Sequence, residues 1–172
     1  MAWSNPSTVT DGQVLSATRW NAHVVANTEF LARPPSVSLT RTTDLAPGTT
    51  AWRSVPWQTE GWDTDTMWSS TAATRIDVNT AGKYQVTATI PFSSASNVKL
   101  MGITLGGSTT AAPNSGVVES YGALRRASMS ITSLLSMTST QFVRVQVSAD
   151  VAPTILHTSV YRPSVSVLWV SS

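Results

Sequence analysis

Tyr84, Val86, Ala88, Ile90 and Phe92 occupy every second position of one unbroken stretch. That alternation predicts a strand with one buried face, because side chains of a pleated chain point to opposite sides with a period of two. The same period recurs at Val37 and Leu39, at Met129, Ile131 and Ser133, at Val143, Val145 and Val147, and at Val165, Val167 and Trp169. Val98 to Leu105 reads as a further strand, and Val117 to Leu124 as a weaker one. Thr50 to Trp57 is an apolar-rich stretch, Arg75 to Val78 precedes the turn Asn79-Thr80-Ala81-Gly82, and Ile155 to Tyr161 is a candidate for pairing. Gly106-Gly107 marks a hairpin, followed by a loop over 108–116. Nine or ten short strands with turns between them predict an all-β antiparallel sandwich or barrel over 36–172. The 19 valines against 11 leucines, with 25 threonines, favour the same class, because β-branched side chains suit a pleated surface.

Residues 1–35 follow a different rule. After the turn at Thr10-Asp11-Gly12, a helix is predicted over about 17–31. Ser16 is placed to cap its first turn, and Pro34-Pro35 must end it, since proline lacks the N–H and restricts its predecessor. Trp20, Val24 and Leu31 share one face at helical spacing, with Asn27 in the same row. A helix of about four turns is marginal alone, so this face must pack on its own domain, on sister chains or on a larger assembly. Two units follow: an arm at 1–35 and a β domain at 36–172.

The chemistry of the chain is sparse. Of 172 residues, 12% are charged, the net charge is +2, there is no cysteine, and His23 and His157 are the only imidazoles. Disulfides, thiolate zinc sites and cysteine nucleophiles are therefore excluded. There is no Gly-x-Ser-x-Gly elbow, and the three glutamates and six aspartates offer no evident acid pair. Asp63-x-Asp65 reads as turn capping rather than a calcium site, which needs six to eight oxygens. Arg125-Arg126 is a lone basic doublet, far short of the stripe a nucleic-acid binder needs. No catalytic, metal or cofactor site is expected, and neither nucleic-acid binding nor membrane insertion. Met1 to Pro6 lacks the basic and apolar regions of a signal peptide, so synthesis in a cytosol is expected.

One cluster stands out. Trp52, Trp57, Trp62 and Trp68 fall within 17 residues, the last three around a polar, glycine-bearing segment. Tryptophans in such a loop stack sugars or anchor an interface, and Trp57, Trp62 and Trp68 are the candidate contact residues. The plainer reading is that they plug one end of the sandwich and pin the loop.

Three segments carry a family resemblance. Met1-Ala2-Trp3-Ser4-Asn5-Pro6, Asp11 to Ala17, Trp20-Asn21 and Asn27 resemble the N-terminal segment of small virion proteins of tailed bacteriophages. Trp62 to Ser69, followed by Ala81-Gly82-Lys83-Tyr84 through Phe92, resembles the jelly-roll domains of the tumour-necrosis-factor and complement-globular-head type. Such domains often carry Gly-Asp before a late strand, where this chain has Ser139-Thr140-Gln141. The resemblance implies a compact homotrimer packed around a threefold axis, with aromatics buried between subunits. It further implies a non-enzymatic virion protein anchored by its arm to other virion proteins, of the tail or the capsid. A minor tail or fibre role with contact to a host-surface glycan comes first, and capsid decoration second. A free carbohydrate-binding module is the alternative outside that class.

Overall fold

The computed structural model describes residue 3 and residues 7–8, 10–46, 51–93, 98–106, 117–121, 127–150 and 154–172, with the backbone alone at 117–121 and 127. Two antiparallel sheets face each other. The first runs β3 (Thr59–Asp63), β1 (Ser36–Thr40), β10 (Ser164–Ser171), β5 (Gly82–Phe92), β8 (Ala127–Met137). The second runs β2 (Arg53–Ser54), β9 (Phe142–Ala149), β6 (Val98–Leu105), β7 (Val117–Tyr121), with β4 (Ile76–Asp77) also on β9. Among these strands the chain changes sheet after each one except β6, which is followed by its neighbour β7, the crossing pattern of a jelly roll.

The alternating positions do what their period demands. Tyr84, Val86, Ala88, Ile90 and Phe92 all point inward, as do Val37 and Leu39, Met129 and Ile131, Val165, Val167 and Trp169. Val143, Val145 and Val147 face them from the second sheet, with Met101 and Ile103 beside them. Register between β5 and β8 holds over eleven pairs, from Gly82 opposite Met137 to Phe92 opposite Ala127.

Several expected elements differ. Of the stretch expected at Thr50 to Trp57, Arg53 and Ser54 form the two-residue β2 and Val55 and Trp57 turn inward to fill the core, while Thr50 lies outside the described residues. The segment after Trp57, read as a polar loop, supplies the edge strand β3. It is held by backbone pairing with β1 and has a bulge between Ser38 and Leu39. Ile155 to Tyr161 is not a strand; Ile155 alone bridges Leu45 and Phe92. The weak strand ends at Tyr121. The loop at 108–116 and Arg125-Arg126 lie outside the described residues.

The arm helix spans α turns at Ala17–Trp20 and Ala26–Ala32, joined by a π turn at Asn21–Val25. The Ser16 hydroxyl accepts the Arg19 N–H at 3.3 Å, as a cap should. At the far end the chain leaves the helix at Arg33 and is clamped by Thr64. The Thr64 hydroxyl donates to the Pro34 carbonyl (2.6 Å) and accepts the Ser36 N–H (2.8 Å). No helix among the described residues is long and apolar enough to cross a membrane.

Candidate functional surfaces

The arm is fastened to the sandwich by three aromatic rings. Phe30 of the helix meets Trp169 of β10 edge-on, with centroids 4.8 Å apart, and Trp3 lies against both at 6.1 and 6.4 Å. Trp169 in turn lies over Gly82, where an added Cβ would run into the indole Nε1 and come within 2.6 Å of the Ser171 carbonyl. Its N–H donates to the Ala81 carbonyl. Sequence reasoning singled out neither Phe30 nor its pairing with Trp169. The available signal was the aromatic content of the arm itself, with Trp3 ahead of the helix and Phe30 in its last turn.

The helical face at Trp20, Val24 and Leu31 stays outside. These side chains are 48%, 40% and 58% exposed. Asn27, expected in their row, is buried together with Phe30 instead. The π turn lengthens one turn and so takes Asn27 out of the row of Trp20 and Val24. In the α segment that follows it, Asn27 and Phe30, three apart, make the docked side, and Leu31 lies at its exposed edge.

The tryptophan cluster is not one surface. Trp57 is a core residue, 2% exposed, its Nε1 without an acceptor among the described residues. It therefore leaves the set of contact candidates: the Pro56-Trp57 segment lies under the sheet, not in the loop. Trp68 is half-buried against the core, its indole donating to the Ala73 carbonyl and its backbone N–H to the Asp63 carboxylate. Asp63 also accepts the Asp65 N–H, so its carboxylate is spent on shaping the turn. Trp62, on edge strand β3, is 54% exposed. One of the three candidates thus stands free, and they do not form a platform.

The larger surface is the outward face of the first sheet. Register places its outward positions in rows. Trp62, Ser38, Ser166, Thr87 and Thr132 form one; Thr40, Ser164, Thr89 and Ser130 another; Ser36, Leu168, Gln85 and Leu134 a third. Within these rows there is no charge. Hydroxyls pair across strands, Thr87 with Thr132 at 3.1 Å and Thr89 with Ser130 at 2.9 Å. Leu134, Leu168 and Val170 are exposed, all towards the end where the arm enters β1. Flat sheet faces bearing neither charge nor bulk are poorly protected against association.

Beside the arm is an open cleft of about 520 Å³, bounded by Glu29, Phe30 and Arg33 of the helix segment and by Pro35, Thr64 and Asp65. Burial pushes the Asp65 carboxyl up from its usual range, while a hydrogen bond from the Thr80 hydroxyl pulls the other way. Its lining offers two carboxylates and a guanidinium but no nucleophile with a base beside it.

No family model matches the chain, and no curated protein resembles it in sequence. Solved structures do resemble it in fold. The globular domain of zebrafish complement 1qA superposes with a TM-score of 0.57 at 10% identity, covering 79% of this chain and 97% of that one. Murine APRIL in its pH 5.0 crystal form gives 0.59 at 10% identity, covering 79% and 98%. At such identities the likeness concerns the fold, and it agrees with the jelly roll expected from Trp62–Ser69 and Ala81–Phe92.

Proposed function

We propose that this chain is a non-enzymatic structural protein that works as a homotrimer. Three sandwiches associate through the hydroxyl-bearing outward face of the first sheet, where three successive rows carry no charge. The single observation that carries this reading is the set of three charge-free rows, with Leu134 and Leu168 exposed in one of them and Val170 beside it, before Lys83 ends the uncharged stretch. A heterologous contact between copies closes into a ring when the rotation is a third of a turn, which gives a trimer rather than a fibre. The jelly-roll likeness supports the arrangement.

We further propose that the trimer belongs to a tailed-phage virion and is carried there by its arm. The helix is held in place by Phe30 yet presents Trp20, Val24 and Leu31 outward, the geometry of an anchor for another virion protein. The far end is then free for host contact, as in a minor tail or fibre protein. On a head lattice the same trimer serves as decoration. Imaging of purified particles with a label on this chain tests the reading. Density at the tail tip or fibre supports the first role, and density at threefold positions of the head the second. Absence of the chain from particles refutes both.

A further inference from the structure

Five strands form the open edges of the two sheets, and four of them are guarded against pairing with another chain. β2 and β4 are two residues long. β7 has five residues and carries Glu119. β3 also has five, with Glu60, Gly61 and Asp63 among them and a bulge where it meets β1. Short length, charge and bulges are the devices that keep sheet edges from associating. β8 has none of them. It runs for eleven residues, Ala127–Met137, without a charge, a proline or a glycine, and its register with β5 is unbroken. Long, flat, uncharged segments of this kind readily add to another strand.

The hydrogen bonds of β5 show which groups of β8 are free. The Pro91 carbonyl accepts the Leu156 N–H, and the Ser93 N–H donates to the Thr154 carbonyl, so residues 91 and 93 face away from β8. In an antiparallel ladder both groups of one residue point to the same side, and successive residues point to opposite sides. The even-numbered residues of β5 therefore bond to the odd-numbered residues of β8, as Ala88 does to Ile131. Ser128, Ser130, Thr132, Leu134 and Ser136 turn their N–H and carbonyl groups to the open side, where no described strand lies. Burial agrees with an open edge. Met129, Ile131, Leu135 and Met137 point inward yet keep 3% to 8% of their surface, whereas the inward side chains of β5 keep at most 1%.

We propose that β8 is the seat of a twofold contact, in which the β8 of a second copy pairs with it antiparallel and joins two five-stranded sheets edge to edge. Full overlap of two eleven-residue strands puts the axis at Thr132. Ser128 then stands opposite the partner's Ser136, Ser130 opposite the partner's Leu134, and Thr132 opposite the partner's Thr132. All of these are residues with free groups, so the register that gives full overlap also satisfies every one of them, two bonds to a pair. A second copy fits because its own edge is equally long and equally uncharged, and a twofold contact needs one surface that complements itself. The contact is independent of the threefold face and doubles whichever unit that face makes. It removes little apolar surface from water, so it is the weaker of the two and forms as concentration rises.

The test is a concentration series of the full-length chain, followed by sedimentation velocity for mass and by hydrogen exchange for the amides of β8. In dilute solution the odd-numbered amides are protected by β5, and those of Ser130, Thr132 and Leu134 exchange freely. The expected result on concentration is a doubling of the dilute mass, with these three amides slowed about tenfold or more. Thr132→Pro removes an N–H that does not serve β5, so it keeps the fold and stays at the dilute mass. Thr132→Ala keeps that N–H and doubles as the wild type does. The dilute mass itself, three chains or one, reports on the threefold face alone. If Thr132→Pro does not fold, the wild-type exchange pattern decides. A mass that never doubles, even-numbered amides that stay unprotected at every concentration, or a doubling that survives Thr132→Pro overturns the proposal.

Discussion

Gly82 is the residue on which the arm end of the sandwich turns. Its φ of +154° is a conformation side-chain-bearing residues rarely adopt, and the space a Cβ would need is filled by Trp169 and the Ser171 carbonyl. Gly82→Ala is expected to cost about 3 kcal/mol, a fall in Tm of roughly 6–12 °C for a chain of this size, measured by calorimetry. Two positions on, Tyr84 is fully buried and its hydroxyl donates to the Thr80 carbonyl at 2.6 Å. Burial, and then the nearby Asp65 carboxylate, push its phenol well above the usual range. In an alkaline titration followed by absorbance, one tyrosine should stay protonated until the protein unfolds, and Tyr84→Phe should abolish that late step. Asp65 obeys the same linkage at lower pH. An acid whose folded value is raised is disfavoured in its charged form, so it weakens the fold at pH above that value. The penalty disappears as pH falls through it. Asp65→Asn should therefore raise the urea midpoint at pH 7 and make little difference at about pH 3, below the ordinary aspartate value near 3.9. A lower midpoint at pH 7 would mean that the Thr80 bond outweighs burial. The burial of Tyr84 was legible in the alternation; its bond to Thr80, the packing of Trp169 on Gly82 and the burial of Asp65 were not, because they depend on how the chain folds back at this end of the sandwich.

Among the elements, strands with a hydrophobic period declared themselves and strands without one did not. β5, β9 and β10 carry apolar residues at every second position and turn them into the core, so their sequence states their position, although β9 also buries Gln146 and Ser148 on its other face. β3 reads Thr-Glu-Gly-Trp-Asp and buries none of these side chains; backbone hydrogen bonds to β1 make it a strand. The helix was legible in its cap and its proline stop. The π turn was not, and it is what takes Asn27 out of the row of Trp20 and Val24. Trp57 was misplaced for a related reason, since adjacency in sequence to a polar loop says nothing of which way a ring points. A helix this short holds its shape through tertiary contact. Phe30→Ala should therefore lose about 3–5 kcal/mol and release the arm as a unit. Hydrogen exchange would then show protection lost over 17–32 but kept in β5 and β10. Equal loss in both would mean that the arm and sandwich unfold together.

At the scale of the molecule, the account rests on a face rather than a pocket. The first sheet turns outward rows of serine, threonine and glutamine with Leu134 and Leu168 among them, bordered by Val170 and Lys83 at the arm end. Such a face gains by removing apolar surface from water, and its hydroxyls pair with each other instead of holding water by charge. Association through it should depend little on salt, because no ion pairs are screened. Low charge and abundant hydroxyls were visible in the composition; that the outward rows carry no charge became visible only with the register. The most direct test is the solution mass of the full-length chain by light scattering, alone and as Leu168→Glu. The account predicts three times the 18.3 kDa chain mass at both low and high salt, and a single-chain mass for the variant, with unchanged far-ultraviolet circular dichroism. A monomeric wild type, or a trimer that Leu168→Glu leaves intact, would contradict it.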